Sequence, residues 1–168
     1  MTSKRDEAVN AAIKLEDEGM SFYREAASQS KNGLSGRMFE ALARDEERHK
    51  EWIQNLSSGG ATASVANREL YQRLKTVFGD VPEGARLEAL MSDDDNKAVE
   101  IAIGIEDRSI EAYDRWGREE EDEEVRKLCC ALSGQERFHK QVLENTREYL
   151  DKTADWFMQE EQWNFEGA

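Results

Sequence analysis

The chain of 168 residues contains one proline, two cysteines and no long hydrophobic run. The two cysteines are adjacent, at Cys129 and Cys130, so they form neither a disulfide framework nor the CxxC pair of a zinc knuckle. No apolar stretch approaches the roughly 18 residues that a membrane-spanning helix needs, and the N-terminus lacks the apolar core of a signal peptide. These absences predict a cytoplasmic protein that does not associate with membranes.

Positive charge is also scarce. The sequence has 23 lysines and arginines against 37 aspartates and glutamates, which gives a formal charge of −14. Proteins that bind DNA or RNA non-specifically need clustered lysine and arginine to contact phosphates, so this balance argues against nucleic acid as a partner. The length suits one domain, which we place at residues 1–168.

The near absence of proline and of alternating β-branched residues predicts an all-α fold. We expect four long helices and two short ones. The long helices are predicted at 6–29, 37–56, 96–119 and 123–151, and the short helices at 64–78 and 153–161. The long link between the second and third long helices is typical of a four-helix bundle with one long crossover connection, here with short extra helices.

The two halves of the chain repeat each other. Residues 8–55 align with residues 98–145 without a gap, and thirteen of the 48 aligned pairs are identical. The identical pairs include Glu16 with Glu106, Glu46 with Glu136, and His49 with His139. Two copies of a helical hairpin, related by a pseudo-two-fold axis, explain this pattern.

Each long helix carries one glutamate within a stripe of apolar residues spaced three and four apart, at Glu16, Glu46, Glu106 and Glu136. Four carboxylates that share one core repel one another, and burial costs each of them several kcal/mol by order of magnitude. No lysine or arginine lies on these stripes near the glutamates. Two divalent metal ions would balance the four charges if both histidines are neutral.

The spacing of the histidines supports a metal site. His49 follows Glu46, and His139 follows Glu136, in the motif Glu-x-x-His, whose two side chains share a helix face and can reach one ion. Two such motifs and one glutamate from each of two further helices form the ligand set of di-iron and di-manganese carboxylate bundles. We therefore predict two ions of iron or manganese, because mixed carboxylate and imidazole ligands suit both metals. The predicted ligands are Glu16, Glu46, His49, Glu106, Glu136 and His139.

Exposed acids and histidines on solvated faces are the competing interpretation, because a chain rich in glutamate contains Glu-x-x-His by chance. Two such motifs in the same register, each with a partner glutamate, make coincidence a poor explanation.

Other residues near the predicted site are open to two interpretations. Tyr23 and Tyr113 lie seven residues after a predicted ligand, so they either hydrogen-bond to ligand carboxylates and move protons or are ordinary core tyrosines. Asp17 and Asp107 are either partners of a ligand histidine or exposed acids. Cys129 is expected to line the core near the site, either as a redox group or as a small buried hydrophobe.

Four segments resemble the rubrerythrin branch of the ferritin-like superfamily: LEDEGMSFYREAA, LARDEERHKEWI, AIGIEDRSIEAYDRW and LSGQERFHKQVLE. The resemblance implies an oxygen-linked reaction, typically the two-electron reduction of hydrogen peroxide at a di-iron centre. It also implies how the metals are shared: Glu46 and Glu136 bridge them, Glu16 and His49 complete one, and Glu106 and His139 complete the other.

The sequence departs from this family at two points. Rubrerythrins proper carry a rubredoxin-like domain with paired CxxC motifs, which the two adjacent cysteines cannot form. Many members also carry a second glutamate one turn from the ligand of the third helix, where this chain has Ile103 and Ser109 on either side of Glu106.

From these features we predict a homodimeric non-haem di-iron oxidoreductase that reduces hydrogen peroxide or dioxygen with electrons from an external donor protein. Tyr23 and Tyr113 are its candidate catalytic residues. The first alternative is a ferroxidase for iron storage or handling, which would require a cage of many subunits. Two further alternatives are a different reaction on the same metals, such as hydroxylation or manganese catalase activity, and a non-catalytic bundle.

Overall fold

The computed structural model describes the backbone of residues 4–58 and 93–165 and the side chains of residues 7–58 and 94–148. It contains four helices and, within those residues, no β-strand. They are α1 (Lys4–Gln29), α2 (Gly33–Ser57), α3 (Asp93–Glu119) and α4 (Glu123–Phe165). The predicted all-α four-helix bundle is confirmed, whereas the short helix predicted at 64–78 lies outside the described residues.

Side-chain caps fix where two of the helices begin. The Asn32 side-chain oxygen accepts hydrogen bonds from the backbone N–H groups of Leu34 (2.8 Å) and Ser35 (3.1 Å). α2 therefore begins at Gly33 rather than at the predicted residue 37. Asp122 caps α4 in the same way, because its Oδ1 accepts from the backbone N–H groups of Glu124 (2.9 Å) and Val125 (3.2 Å). Both caps satisfy N–H groups that have no partner inside the helix.

The predicted end of the last long helix is wrong. We expected a break after residue 151 and a separate short helix at 153–161, but α4 continues without interruption to Phe165. Between residues 148 and 165 the sequence has neither proline nor glycine, so no residue there interrupts the backbone hydrogen bonds of the helix.

The four helices form two hairpins. α1 packs mainly on α2 and α3 mainly on α4, while α1–α3 and α2–α4 contacts join the hairpins. Tyr23 of α1 contacts Glu106 of α3. In the reciprocal contact Tyr113 of α3 reaches Glu16 of α1, so these two helices run antiparallel. Since α1 is antiparallel to α2 as well, α2 and α3 run in the same direction, as a crossover connection requires.

The core consists of two apolar clusters separated by a polar layer. One cluster is built around Tyr23, Phe39 and Leu42, and the other contains Ala12, Ile53, Tyr113 and Leu132. On every helix the predicted ligands fall between residues of the first cluster and residues of the second. The apolar clusters therefore close the polar layer from both ends of the bundle.

Among the helices within the described residues, none has both the length and the apolar character needed to cross a membrane.

The Asn32 cap can be tested by substitution. Replacing Asn32 with Ala removes the acceptor for two backbone N–H groups, and we expect it to lower the free energy of unfolding by about 1 kcal/mol. Asn32→Asp keeps an acceptor at the same position and should retain most of this stability. Urea denaturation measures both variants. Equal losses in the two variants would contradict the capping role.

Candidate metal centre

Six buried side chains from all four helices meet in the polar layer. None of the six exposes more than 4% of its surface. They form two groups of four whose possible ligand atoms lie within 4.8 Å of one another: Glu16, Glu46, His49 and Glu136 in one, and Glu46, Glu106, Glu136 and His139 in the other. The structure therefore brings together all six residues that the spacing selected, with Glu46 and Glu136 common to both groups.

Both histidines turn the same ring nitrogen toward the carboxylates. His49 Nδ1 lies 3.2 Å from Glu16 Oε2 and 3.2 Å from Glu46 Oε2. His139 Nδ1 lies 3.3 Å from Glu46 Oε1 and 3.2 Å from Glu136 Oε2. The two rings stack with their centroids 5.2 Å apart and an interplanar angle of 13°. Each Glu-x-x-His pair thus presents a carboxylate and an imidazole nitrogen to the same space.

The two tyrosines link the hairpins through the outer glutamates. The Tyr23 hydroxyl donates to Glu106, and the Tyr113 hydroxyl donates to Glu16. Each tyrosine therefore contacts the glutamate of the opposite hairpin rather than the one that lies seven residues earlier on its own helix. Burial, together with the facing carboxylate, raises the pKa of both tyrosines well above the ordinary value. Their hydroxyls stay protonated at neutral pH and can donate to these glutamates.

Asp45 is a buried neighbour of the cluster that sequence reasoning missed. Its Oδ2 lies 3.0 Å from His139 Nε2, the ring nitrogen that points away from the carboxylates. Its other oxygen forms an ion pair with Arg48. The internal repeat does not identify Asp45 as part of the site, because the corresponding residue in the second half is Gln135. The available signal was its position four residues before His49, on the same side of the helix.

Several polar atoms of the cluster have no hydrogen bond of good geometry within the described part of the chain. They are both carboxylate oxygens of Glu136, Glu106 Oε2, His139 Nδ1 and His49 Nε2. A buried polar atom without a partner costs about 1–3 kcal/mol, so such a concentration of them calls for a ligand. Carboxylate oxygens with imidazole nitrogens are a donor set that suits iron and manganese. The residues present fit a pair of metal ions.

The sequence model of the Rubrerythrin family matches residues 7–147. The chain belongs to the rubrerythrin family. This is a ferritin-like di-iron family, so the resemblance of the four helical segments is confirmed and the protein is an iron-binding member of the ferritin-like superfamily. The matched range includes all six residues of the cluster and both tyrosines. Comparison with curated proteins and with solved structures gives no significant match.

The protonation of the metal-free cluster divides the four carboxyl groups into two pairs. Burial and the charge of neighbouring carboxylates raise the pKa of Glu16 and Glu106 well above the ordinary value, which favours their neutral forms. Burial also tends to raise the pKa of Glu46, but hydrogen bonds with Glu16 and the two histidines lower the pKa of that carboxyl overall. At Glu136, burial and the charge of Glu46 raise the pKa, but the charge of His49 and the nearby Nδ1 atoms of both histidines lower it more, so the pKa of Glu136 is lowered overall.

The histidines complete this balance. Burial opposes their protonation, but the charge of Glu136 and hydrogen bonds with the carboxylates raise the pKa of His49. Glu106 and the same kind of hydrogen bonds raise the pKa of His139. Protonation of the histidines compensates for buried carboxylate charge in the metal-free cluster, and bound divalent cations would compensate for the same charge in place of these protons.

The remaining candidate residues either lie outside this cluster or are unreactive at neutral pH. Asp17 pairs with Lys50 at 2.6 Å and Asp107 with Lys140 at 2.7 Å, both at the surface, so the exposed interpretation of the two aspartates is the correct one. Cys129 is buried and lines an apolar cavity of about 40 Å³. Burial raises its pKa to about 11, so Cys129 is a protonated thiol at neutral pH rather than a reactive thiolate.

Proton release on metal loading tests the charge balance. The raised pKa values of Glu16, Glu106 and both histidines favour their protonated forms. Because these groups must lose their protons to act as ligands, we expect loading with divalent ions to release protons near neutral pH. The affinity should fall as the pH falls, since protons then compete with the metal. Calorimetric titrations in buffers of different ionisation enthalpy measure the number released. Metal binding without proton release would contradict the assignment.

Proposed function

We propose that this rubrerythrin-family protein is a non-haem di-iron oxidoreductase that reduces hydrogen peroxide or dioxygen. The observation that carries the proposal is the pair of four-residue groups that share Glu46 and Glu136. Glu46 and Glu136 would be shared by the two metal ions. Glu16 and His49 complete the ligands of one ion, and Glu106 and His139 complete those of the other.

The chain's own residues favour redox chemistry at a closed site. Apolar clusters lie on both sides of the polar layer, which keeps bulk water away from the cluster. Tyr23 and Tyr113 hold Glu106 and Glu16 in fixed orientations and keep a proton beside each of them. When bound, two ferrous ions supply the two electrons that convert one hydrogen peroxide and two protons into two water molecules.

The electrons that return the site to its reduced form come, in this proposal, from a separate protein. The two cysteines of the sequence are adjacent, and Cys129 is buried in the apolar cluster with a protonated thiol. They cannot form the two CxxC pairs that hold a rubredoxin-type iron. The proposed reaction includes an external donor protein.

Single-turnover kinetics test the proposed reaction. The protein is loaded anaerobically with ferrous iron and mixed with hydrogen peroxide, and the oxidation is followed by stopped-flow absorbance. We expect oxidation within seconds, with one peroxide consumed for every two ferrous ions. Slow or absent oxidation would contradict the proposal. A shell of many subunits in the same preparation, measured by light scattering, would favour the iron-storage alternative over the expected homodimer.

Matched variants connect this reaction to the cluster. The double variant Glu46→Ala and Glu136→Ala removes both shared carboxylates and should lose its metal and its reaction with peroxide. The control replaces two exposed glutamates on the same helices, Glu47→Ala and Glu144→Ala, and should retain both. Equal iron content in the two double variants, measured by elemental analysis, would show that the metal lies elsewhere.

A further inference from the structure

The two halves of the site differ beside the histidines. The pseudo-two-fold axis relates the six cluster residues and the two tyrosines in identical pairs. It fails at Asp45, where the second half has Gln135, and at Arg48, where the second half has Phe138. One half therefore places an anion and a cation next to the cluster, and the other half places an amide and an aromatic ring at the corresponding positions.

Asp45 distinguishes the two imidazole rings by distance. Its Oδ2 lies 3.0 Å from His139 Nε2, a hydrogen-bond distance, but 3.9 Å from His49 Nε2, which is too long. The Asp45 side chain is fully buried, and Arg48 balances its charge from the other oxygen. Arg48 in turn lies over the ring of Trp52, at 5.9 Å from the centroid, so the ion pair is held in place from outside.

A carboxylate that accepts a hydrogen bond from one nitrogen of an imidazole changes how well the other nitrogen binds a metal. It holds the proton on Nε2, leaves the lone pair on Nδ1, fixes the orientation of the ring and makes the ligand a stronger donor. Asp45 provides this contact to His139 and not to His49. The amide at position 135 carries no charge, so it cannot provide an equivalent anion to the other ring.

We infer that the two metal positions are inequivalent: the ion held by Glu106 and His139 binds more tightly and is loaded first. Asp45 is the positioning residue that creates the difference. The inference rests on the proposed function only for the presence of two ions in the cluster. It concerns how they are held rather than the reaction that they support.

Calorimetric titration of the metal-free full-length chain with Co²⁺ tests the inference in solution. The wild-type protein should show two binding steps of different affinity. Asp45→Asn retains the size of the side chain but removes its charge, and should weaken the tighter step by about 10- to 100-fold while the weaker step stays within a few-fold of wild type. The control Asp107→Asn removes a surface carboxylate that is next to Glu106 in sequence and pairs with Lys140; it should leave both steps unchanged.

A structural measurement on the wild-type protein assigns the positions and does not depend on the stability of the variant. Crystals grown with one equivalent of Co²⁺ for each chain should give a stronger anomalous signal between Glu106 and His139 than between Glu16 and His49. Equal signals at the two positions, or a stronger signal at the second, would overturn the inference.

The possible failures are distinguishable. Two bound ions of equal affinity, or an Asp45→Asn variant with unchanged titration steps, would overturn the inference and leave the proposed function standing. Absence of Co²⁺ from the cluster in the wild-type protein would overturn both. Loss of the tighter step together with an unchanged weaker step supports the inference, because an unfolded variant would lose both.

Discussion

Four glutamates buried in one helical core are the constraint on which the rest of the structure depends. Each charged carboxylate in such a core costs several kcal/mol by order of magnitude unless opposite charge or hydrogen bonds compensate for it. The structure contains compensation of both kinds. Two histidines and two tyrosines face the four carboxyl groups directly, and several carboxylate oxygens and imidazole nitrogens remain without hydrogen bonds and are able to bind metal. The bundle is thus organised around its polar layer as much as around its apolar clusters.

The repeat explains how a short chain builds such a site. Two copies of one helical hairpin, facing each other in antiparallel orientation, place each glutamate, histidine and tyrosine twice around a pseudo-two-fold axis. Glu46 and Glu136 fall near the axis and belong to both groups, while Glu16 and Glu106 lie further out, each held by the tyrosine of the other hairpin. A single hairpin would provide three residues of one group and only one of the other, so both groups are complete only where the two hairpins meet. The departures from the repeat, above all at Asp45, are where the two metal positions can differ.

Much of this could be predicted from the sequence because the relevant signals are periodic. The spacing of Glu-x-x-His and the shared register of the two halves identify which side chains meet, and the lack of proline predicts the helices. The missed features have no periodic signal. Asp45 has no acidic counterpart at position 135, and its contact with His139 lies across two helices that the sequence does not pair. The partners of Tyr23 and Tyr113 depend on the antiparallel packing of α1 and α3. α4 is longer than predicted because neither proline nor glycine interrupts it between residues 148 and 165.

The central claim is that the polar layer holds two iron ions that share carboxylate ligands. Mössbauer spectroscopy of the protein loaded with the Mössbauer-active isotope of iron tests it most directly, because the spectrum reports both the number of iron environments and the magnetic coupling between them. The account predicts two irons for each chain which, in the oxidised form, couple through Glu46 and Glu136 into a pair with a diamagnetic ground state. One iron for each chain, or magnetically isolated iron, would contradict it.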